Sequence, residues 1–283
     1  MRVIQLSDLH LGPTTTSDAR KRLANEKAWY HAKVVAGLLR EQPDADELVV
    51  VITGDLTDEG HVNPEEFPPA VEWLKSLPGR VFVVPGNHDV GNFTSSTANP
   101  KVDETYLWQW RQHLGAERFN HMQDGHRLIG LNSMIIGSGL DAEANQAQWL
   151  TQQLDAAEAS NESVWLFQHA PLFLRRPREV REQREHYWCP AASARDVVLQ
   201  QLDRPCVRGL MHGHIHRRFD LPWGDDRVQR ACPALSGTHT DADYFPRDGE
   251  VHRHDLSVMT LEHGRVELSG QSTGLEPTVR YAG

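Results

Sequence analysis

Five apolar runs recur along the chain: VIQLS, LVVVIT, RVFVVP, SVWLFQ and CVRGLM. Each has the length and the β-branched content of a buried strand. Between the first two, residues 18–41 carry Ala24, Ala28, Ala32, Val35, Ala36 and Leu39 at helical spacing. Asn63-Pro64-Glu65-Glu66 reads as a second helix start, with Asn63 as cap, proline in the first turn and acids near the positive end of the dipole. That helix runs to about residue 77, where Pro78-Gly79 ends it. Residues 91–102 are small and polar and predict a loop. Further helices are expected at 104–114, 143–159 and 194–202, the last capped by Ser193, with a strand at 127–132. Beyond residue 211 strands take over, and 256–261 and 265–268 flank a tight turn at His263-Gly264. Alternating strands and helices predict a largely parallel sheet covered by helices, and the late strands a second sheet packed on the first.

The five runs share a second property. They lead into Asp8-Leu9-His10, Gly54-Asp55, Gly86-Asn87-His88-Asp89, His169-Ala170-Pro171 and Gly213-His214-Ile215-His216. Open α/β sheets bind ligands at the carboxyl ends of their strands, so these segments describe one crevice lined by Asp, His and Asn. Asp8 and His10 are two apart, and an extended chain points both the same way. The glycines before Asp55, Asn87 and His214 remove bulk where strand turns into loop. Carboxylate and imidazole together suit Mn, Fe, Zn or Co rather than Ca.

Composition narrows the picture. The chain has 283 residues, 39% hydrophobic and 24% charged, which suits a globular protein with a sizeable core. Because the five segments spread over 8–216 must converge, one domain over 1–283 is expected, with a motif core at 1–216 and strands in 217–283 completing the second sheet. A net charge of −10 argues against polymeric nucleic acid as the partner. Cys189, Cys206 and Cys232 are odd in number and scattered, which speaks against a disulfide framework. No leader and no apolar run of about 20 residues is evident, so a cytoplasmic protein outside the membrane is expected.

DLH, GDLTD, GNHD, a lone His before Ala-Pro and GHIH, in this order, resemble the calcineurin-like metallophosphoesterase superfamily. The compact GNHD and GHIH are most similar to its bacterial cyclic-nucleotide and glycerophosphodiester phosphodiesterase branch. The resemblance implies an α/β fold, a four-layer αββα sandwich of two mixed sheets, and two metal ions. It assigns Asp8, His10, Asp55 and His216 to one ion and Asp55, Asn87, His169 and His214 to the other, with Asp55 bridging. His88 is then no ligand but a proton or hydrogen-bond donor at the substrate. Two divalent ions, less Asp8, Asp55 and a bridging hydroxide, leave a formal charge of about +1, which attracts a small phosphodiester. That hydroxide would attack phosphorus in line, and His88 would assist the leaving oxygen by about 10²–10⁴-fold. Related exonucleases begin with a similar DLHLG, so a nuclease, or a phosphomonoesterase or phosphoprotein phosphatase, is the alternative on the same site. A non-catalytic scaffold is the third reading.

Other residues receive plainer expectations. Asp89 holds a ring or caps a helix; His212 is structural; His61 lies in a solvated loop. Ser236 to His239 follows a late strand, and His239 is a candidate to reach substrate. His252 and His254 flank an exposed turn. Residues 175–185 read as a solvated helix whose arginines could instead reach phosphate. Trp108 and Trp110 are packing groups, and the C-terminal region beyond 220 is a candidate cap or homodimer surface.

Overall fold

The computed structural model describes residues 1–95, 99–179, 187–236, 238–239, 255–262, 265–273 and 279–280. Each of the five apolar runs forms a strand: β1 (Arg2–Leu6), β2 (Val49–Thr53), β3 (Arg80–Val84), β6 (Ser163–Phe167) and β7 (Val207–His212). Around them lie β4 (Phe119–Gln123), β5 (His126–Gly130), β8 (Phe219–Trp223), β9 (Arg227–Ala231), β10 (Thr238–His239), β11 (Asp255–Glu262), β12 (Arg265–Ser272) and β13 (Val279–Arg280). The helices are α1 (Ala19–Arg40), α2 (Phe67–Lys75), the single turn α3 (Asn87–Val90), α4 (Glu104–Leu114), α5 (Asp141–Ala159) and α6 (Ala192–Gln201).

Two mixed sheets result, ordered β12-β11-β1-β2-β3 and β4-β5-β6-β7-β9-β8, with β10 and β13 paired apart from them. The period of two along each strand builds the layers. Val3, Val49, Val51, Leu128, Trp165, Phe167, Met211, Met259 and Leu261 form one buried cluster drawn from both sheets, which is the seam between them. Their neighbours Ile4, Leu6, Val50 and Ile52 face the other way, against Ala28, Ala32, Val35, Ala36 and Leu39 of α1 and Ala70 and Trp73 of α2. Leu166 and Leu210 likewise pack on Leu150, Leu154 and Ala157 of α5. Helix, sheet, sheet, helix is therefore the order of the layers. The alanines let α1 lie close, and the Trp73 indole donates to the Ala32 carbonyl at 2.9 Å, tying α2 to α1. Truncating a residue as enclosed as Ile52 to alanine costs about 2–5 kcal/mol.

Several sequence expectations are corrected. The strands after residue 217 do not all complete the second sheet: β8 and β9 do, while β11 and β12 extend the first beside β1. Asn63 does not cap a helix. Its amide donates to Glu59 at 3.1 Å, a 3-10 turn covers Pro64–Glu66, and α2 starts at Phe67. Helix α6 begins at Ala192 with Ala191 at its cap position, so Ser193 lies inside the first turn. Trp110 is buried, but Trp108 is exposed, since only one face of α4 meets the core. Residues 175–178 form no helix but an exposed bend and turn, closed by a buried Glu179 that accepts the backbone N–H groups of Leu174, Arg175 and Arg176. Residues 180–186, the turn at 263–264, His252 and His254 lie outside the described residues, as does the side chain of His239. The three cysteines are buried, and no disulfide joins them to one another. Among the described residues no helix is long and apolar enough to cross a membrane.

Candidate metal centre

The hydrogen-bonded pairing of β1 with β2 continues past their ends and sets the first two loops side by side. Asp8, His10 and Leu11 donate backbone N–H to the carbonyls of Gly54, Asp55 and Leu56 at 3.1, 2.9 and 3.0 Å. On the second sheet Gly213 N–H donates to the His169 carbonyl at 2.9 Å, joining the loops after β6 and β7. Across the sheets, Ser236 N–H donates to the Asp8 carbonyl at 3.1 Å. The crevice is thus framed by backbone before any side chain enters it.

The backbone within these loops is strained. Asp8, His10, Asp55, His214 and His216 all adopt positive φ, between 49° and 67°. Non-glycine residues avoid this region at a cost of order 1–3 kcal/mol each, and such strain concentrates at functional sites. It also corrects the idea that Asp8 and His10 share a direction because the chain is extended: both have left-handed backbone. The glycines do the job assigned to their small size. A Cβ on Gly54 would strike the His169 ring, one on Gly86 the Asp55 carboxylate, and one on Gly213 the side chains of Ser7 and Asp8.

All seven expected ligand residues converge, every one of them buried. Asp8, His10, Asp55 and His216 form one group able to hold an ion, and Asp55, His169 and His214 a second, sharing Asp55. In the first, His216 Nε2 lies 3.1 Å from Asp8 Oδ1, His10 Nε2 3.6 Å from Asp55 Oδ2, and the two imidazole nitrogens 3.4 Å apart. In the second, His169 Nε2 lies 3.2 Å from Asp55 Oδ2, 3.0 Å from Asn87 Oδ1 and 3.1 Å from His214 Nδ1.

Tautomers test whether these groups suit a cation. His169 Nδ1 donates to the Thr53 carbonyl at 2.8 Å, so its neutral ring presents a lone pair at Nε2. His214 Nε2 donates to the Tyr187 carbonyl at 3.3 Å, which leaves a lone pair at Nδ1. Asp55 Oδ2 and Asn87 Oδ1 are acceptors by nature. With His169 neutral, four acceptors therefore face one point, an arrangement that a metal ion satisfies, or in its absence a proton on His169 Nε2. The charge balance agrees. Burial would raise the Asp8 carboxyl, but His216 and His169 outweigh it and hold it below its usual range. Asp55 is held well below: burial opposes, and His169, His88 and His10 prevail. Burial would lower the proton affinity of His169, yet Asp55 and Asp8 raise it to about 9. Burial and His169 push His214 down to about 3, which keeps it neutral, as a ligand must be.

His88 stands beside the centre rather than in it. Its backbone N–H donates to Asp55 Oδ1 at 2.9 Å, its Nδ1 donates to the Asp58 carbonyl at 2.5 Å, and its ring meets His10 edge-on at 4.6 Å. Asp89 acts through hydrogen bonds to Gly86 N–H and to the backbone of Leu56 and Thr57, capping α3 and fixing the loop that carries Asp55. Burial and Asp55 raise its carboxyl to about 6. His212 bonds the Gly213 carbonyl at 2.9 Å, and burial lowers it to about 4, consistent with a structural imidazole. His61 is not solvated: it is buried, its Nδ1 lies 2.9 Å from the His88 carbonyl, and its ring meets Tyr106 edge-on.

Two residues were not anticipated. Asp58 forms a further potential cation group with His10 and His88, and its carboxylate approaches Lys21 at 3.6 Å. Its position in GDLTD, three residues after Asp55, was the available signal. Tyr187 stacks on His214 at 5.4 Å and 28°, with its hydroxyl near Asn87 and Asn99; nothing local in the sequence marks it. Burial raises its phenol above the ordinary value, so the hydroxyl keeps its proton.

A family model for the calcineurin-like phosphoesterases matches residues 1–218. Serine/threonine-protein phosphatase CPPED1 of Danio rerio is 31% identical over 139 residues, 47% of this chain and 41% of that protein. The probable glycerophosphodiester phosphodiesterase GpdQ of Arcobacter nitrofigilis is 33% identical over 180 residues, 60% of this chain and 57% of that one. The matched stretch thus spans about half the length of these curated relatives. Among solved structures, a dimetal phosphatase from Danio rerio superposes with a TM-score of 0.63 at 13% identity, covering 96% of each chain, which supports the fold.

Proposed function

Because this chain belongs to the calcineurin-like phosphoesterase family, we propose that it hydrolyses small phosphodiesters at a centre of two metal ions. One observation carries the reading: Asp55 belongs to both groups of buried ligand residues, its Oδ2 lying 3.6 Å from His10 Nε2 and 3.2 Å from His169 Nε2. Asp8, His10, Asp55 and His216 would hold one ion, and Asp55, Asn87, His169 and His214 the other. Bound there, the pair supplies positive charge for phosphoryl oxygens and acidifies water. With only Asp8 and Asp55 anionic among the seven, two divalent ions would keep the pocket cationic inside an acidic chain, and it would attract the single negative charge of a phosphodiester.

The chain's own groups divide the remaining work. The Asp58 carbonyl holds Nδ1 of His88 and so presents Nε2 for a proton destined for the leaving alkoxide. Asp55 Oδ1 anchors the same residue through its backbone, so the proton donor and the shared carboxylate move as one unit. Asp89 fixes the loop on which both depend. Glycerophosphodiesters and cyclic 3′,5′-nucleotides are the candidate substrates, and the likeness to GpdQ supports the first.

The test is a panel on Mn²⁺-loaded protein: bis(p-nitrophenyl) phosphate, glycerophosphodiesters, cyclic nucleotides and p-nitrophenyl phosphate. Turnover of the diesters ahead of the monoester is expected. A monoester preference would select the second reading, a phosphatase at the same site, which the likeness to CPPED1 favours. No turnover with Mn, Zn, Fe or Co would defeat both.

A further inference from the structure

Asn87 is read as a ligand through Oδ1, which faces His169 Nε2 at 3.0 Å. Its Nδ2 must then face the other way, and it does: it lies 3.4 Å from the Tyr187 hydroxyl. Asn99 Nδ2 donates to the same hydroxyl at 3.3 Å. Two amides thus donate to the Tyr187 oxygen and fill its acceptor sites. Among the described residues its own proton meets no acceptor, so the half-buried hydroxyl keeps a donor for a ligand. The ring is fixed as well, stacked on His214 at 5.4 Å, with the Tyr187 carbonyl accepting from His214 Nε2 at 3.3 Å. The hydroxyl is therefore held one amide's width from the point where Asn87, His169 and His214 converge.

We propose that Tyr187 is a substrate-binding residue whose hydroxyl donates a hydrogen bond to a phosphoryl oxygen held beside Asn87, His169 and His214. The inference rests on the phosphoester reading above and adds a contact made by the chain itself. A phosphoryl oxygen is the acceptor that the two amides are not, and a charge-assisted bond there strengthens as negative charge collects on phosphorus. The aromatic stack gives the contact precision, because the ring has no freedom to follow a misplaced substrate.

Tyr187→Phe keeps the stack on His214 and removes only the hydroxyl. Two quantities are measured: Mn²⁺ affinity by electron paramagnetic resonance, and binding of inorganic phosphate to the Mn²⁺-saturated protein by calorimetry. Unchanged Mn²⁺ affinity with phosphate binding weakened roughly 10- to 100-fold is the expected result, the range for losing a bond to a charged group. Unchanged phosphate affinity overturns the proposal. So does a loss that appears only together with weakened Mn²⁺ binding, because Tyr187 would then merely orient Asn87. Phosphate binding needs no turnover, so a wild-type protein that hydrolyses no diester yet binds phosphate through Tyr187 would refute the substrate reading alone.

Discussion

The metal-free protein should lose stability as pH rises from 7 to 9, and His169 should be the cause. Its proton affinity is raised from 6.5 to about 9, with burial opposing and Asp55 and Asp8 prevailing. In this window the folded chain holds a proton that the unfolded chain has released. The stabilisation is complete below 6.5 and disappears as pH passes through about 9. The full span corresponds to about 3 kcal/mol. Other buried groups with displaced affinities act outside this window: Glu66 up to about 7, Asp89 up to about 6, His212 at about 4 and His214 at about 3, while the raised thiols of Cys206 and Cys232 act only above 9. The assay is urea unfolding of chelator-treated protein at pH 7, 8 and 9, for wild type and His169→Gln. The wild-type midpoint should fall and the variant's should stay nearly level. Saturating Mn²⁺ should reverse the wild-type trend, because metal competes with that proton. A flat or rising wild-type midpoint without metal, or the same fall in His169→Gln, would refute the reasoning.

Three further outcomes are expected. Asp55→Asn keeps an acceptor for the His88 N–H but removes the charge shared by both donor groups, so both ions should weaken and turnover vanish, as metal analysis and a diester assay would record. His88→Ala should retain two ions and lose about 10²–10⁴-fold in turnover; loss of metal would show that the donor was wrongly separated from the ligands. Glu66 is buried, its carboxylate accepting from Asp58 and Glu59 N–H, and burial raises it to about 7 from 4.5. Folding therefore penalises its ionised form, and wild type should lose stability relative to Glu66→Gln as pH climbs from 4.5 to 7, read from denaturant midpoints. No difference across that range would count against it.

The centre was readable because its chemistry coincides with local punctuation. Apolar runs mark the strands, and each ends in Asp, Asn or His with a glycine or proline nearby, so order alone located the seven residues. The fold was readable for the same reason where strands are central and apolar. It was not readable in β4, whose FNHMQ alternates little and buries only His121 along an edge. Nor could local pattern say that β11 pairs with β1 rather than with the second sheet, since that choice depends on partners at opposite ends of the chain. Asn63 looked like a cap because its type and the proline beside it fit, but its amide donates to Glu59 and its side chain accepts no N–H of the following turn. His61 was read as a solvated loop residue and Tyr187 escaped notice because their surroundings arise from tertiary approach to His88 and His214, which no spacing encodes.

Anomalous diffraction from Mn²⁺-loaded crystals tests the central claim most directly. Two peaks should appear, one among Asp8, His10 and His216 and one among Asn87, His169 and His214, with Asp55 touching both. A single peak, or peaks that Asp55 does not join, would contradict the account.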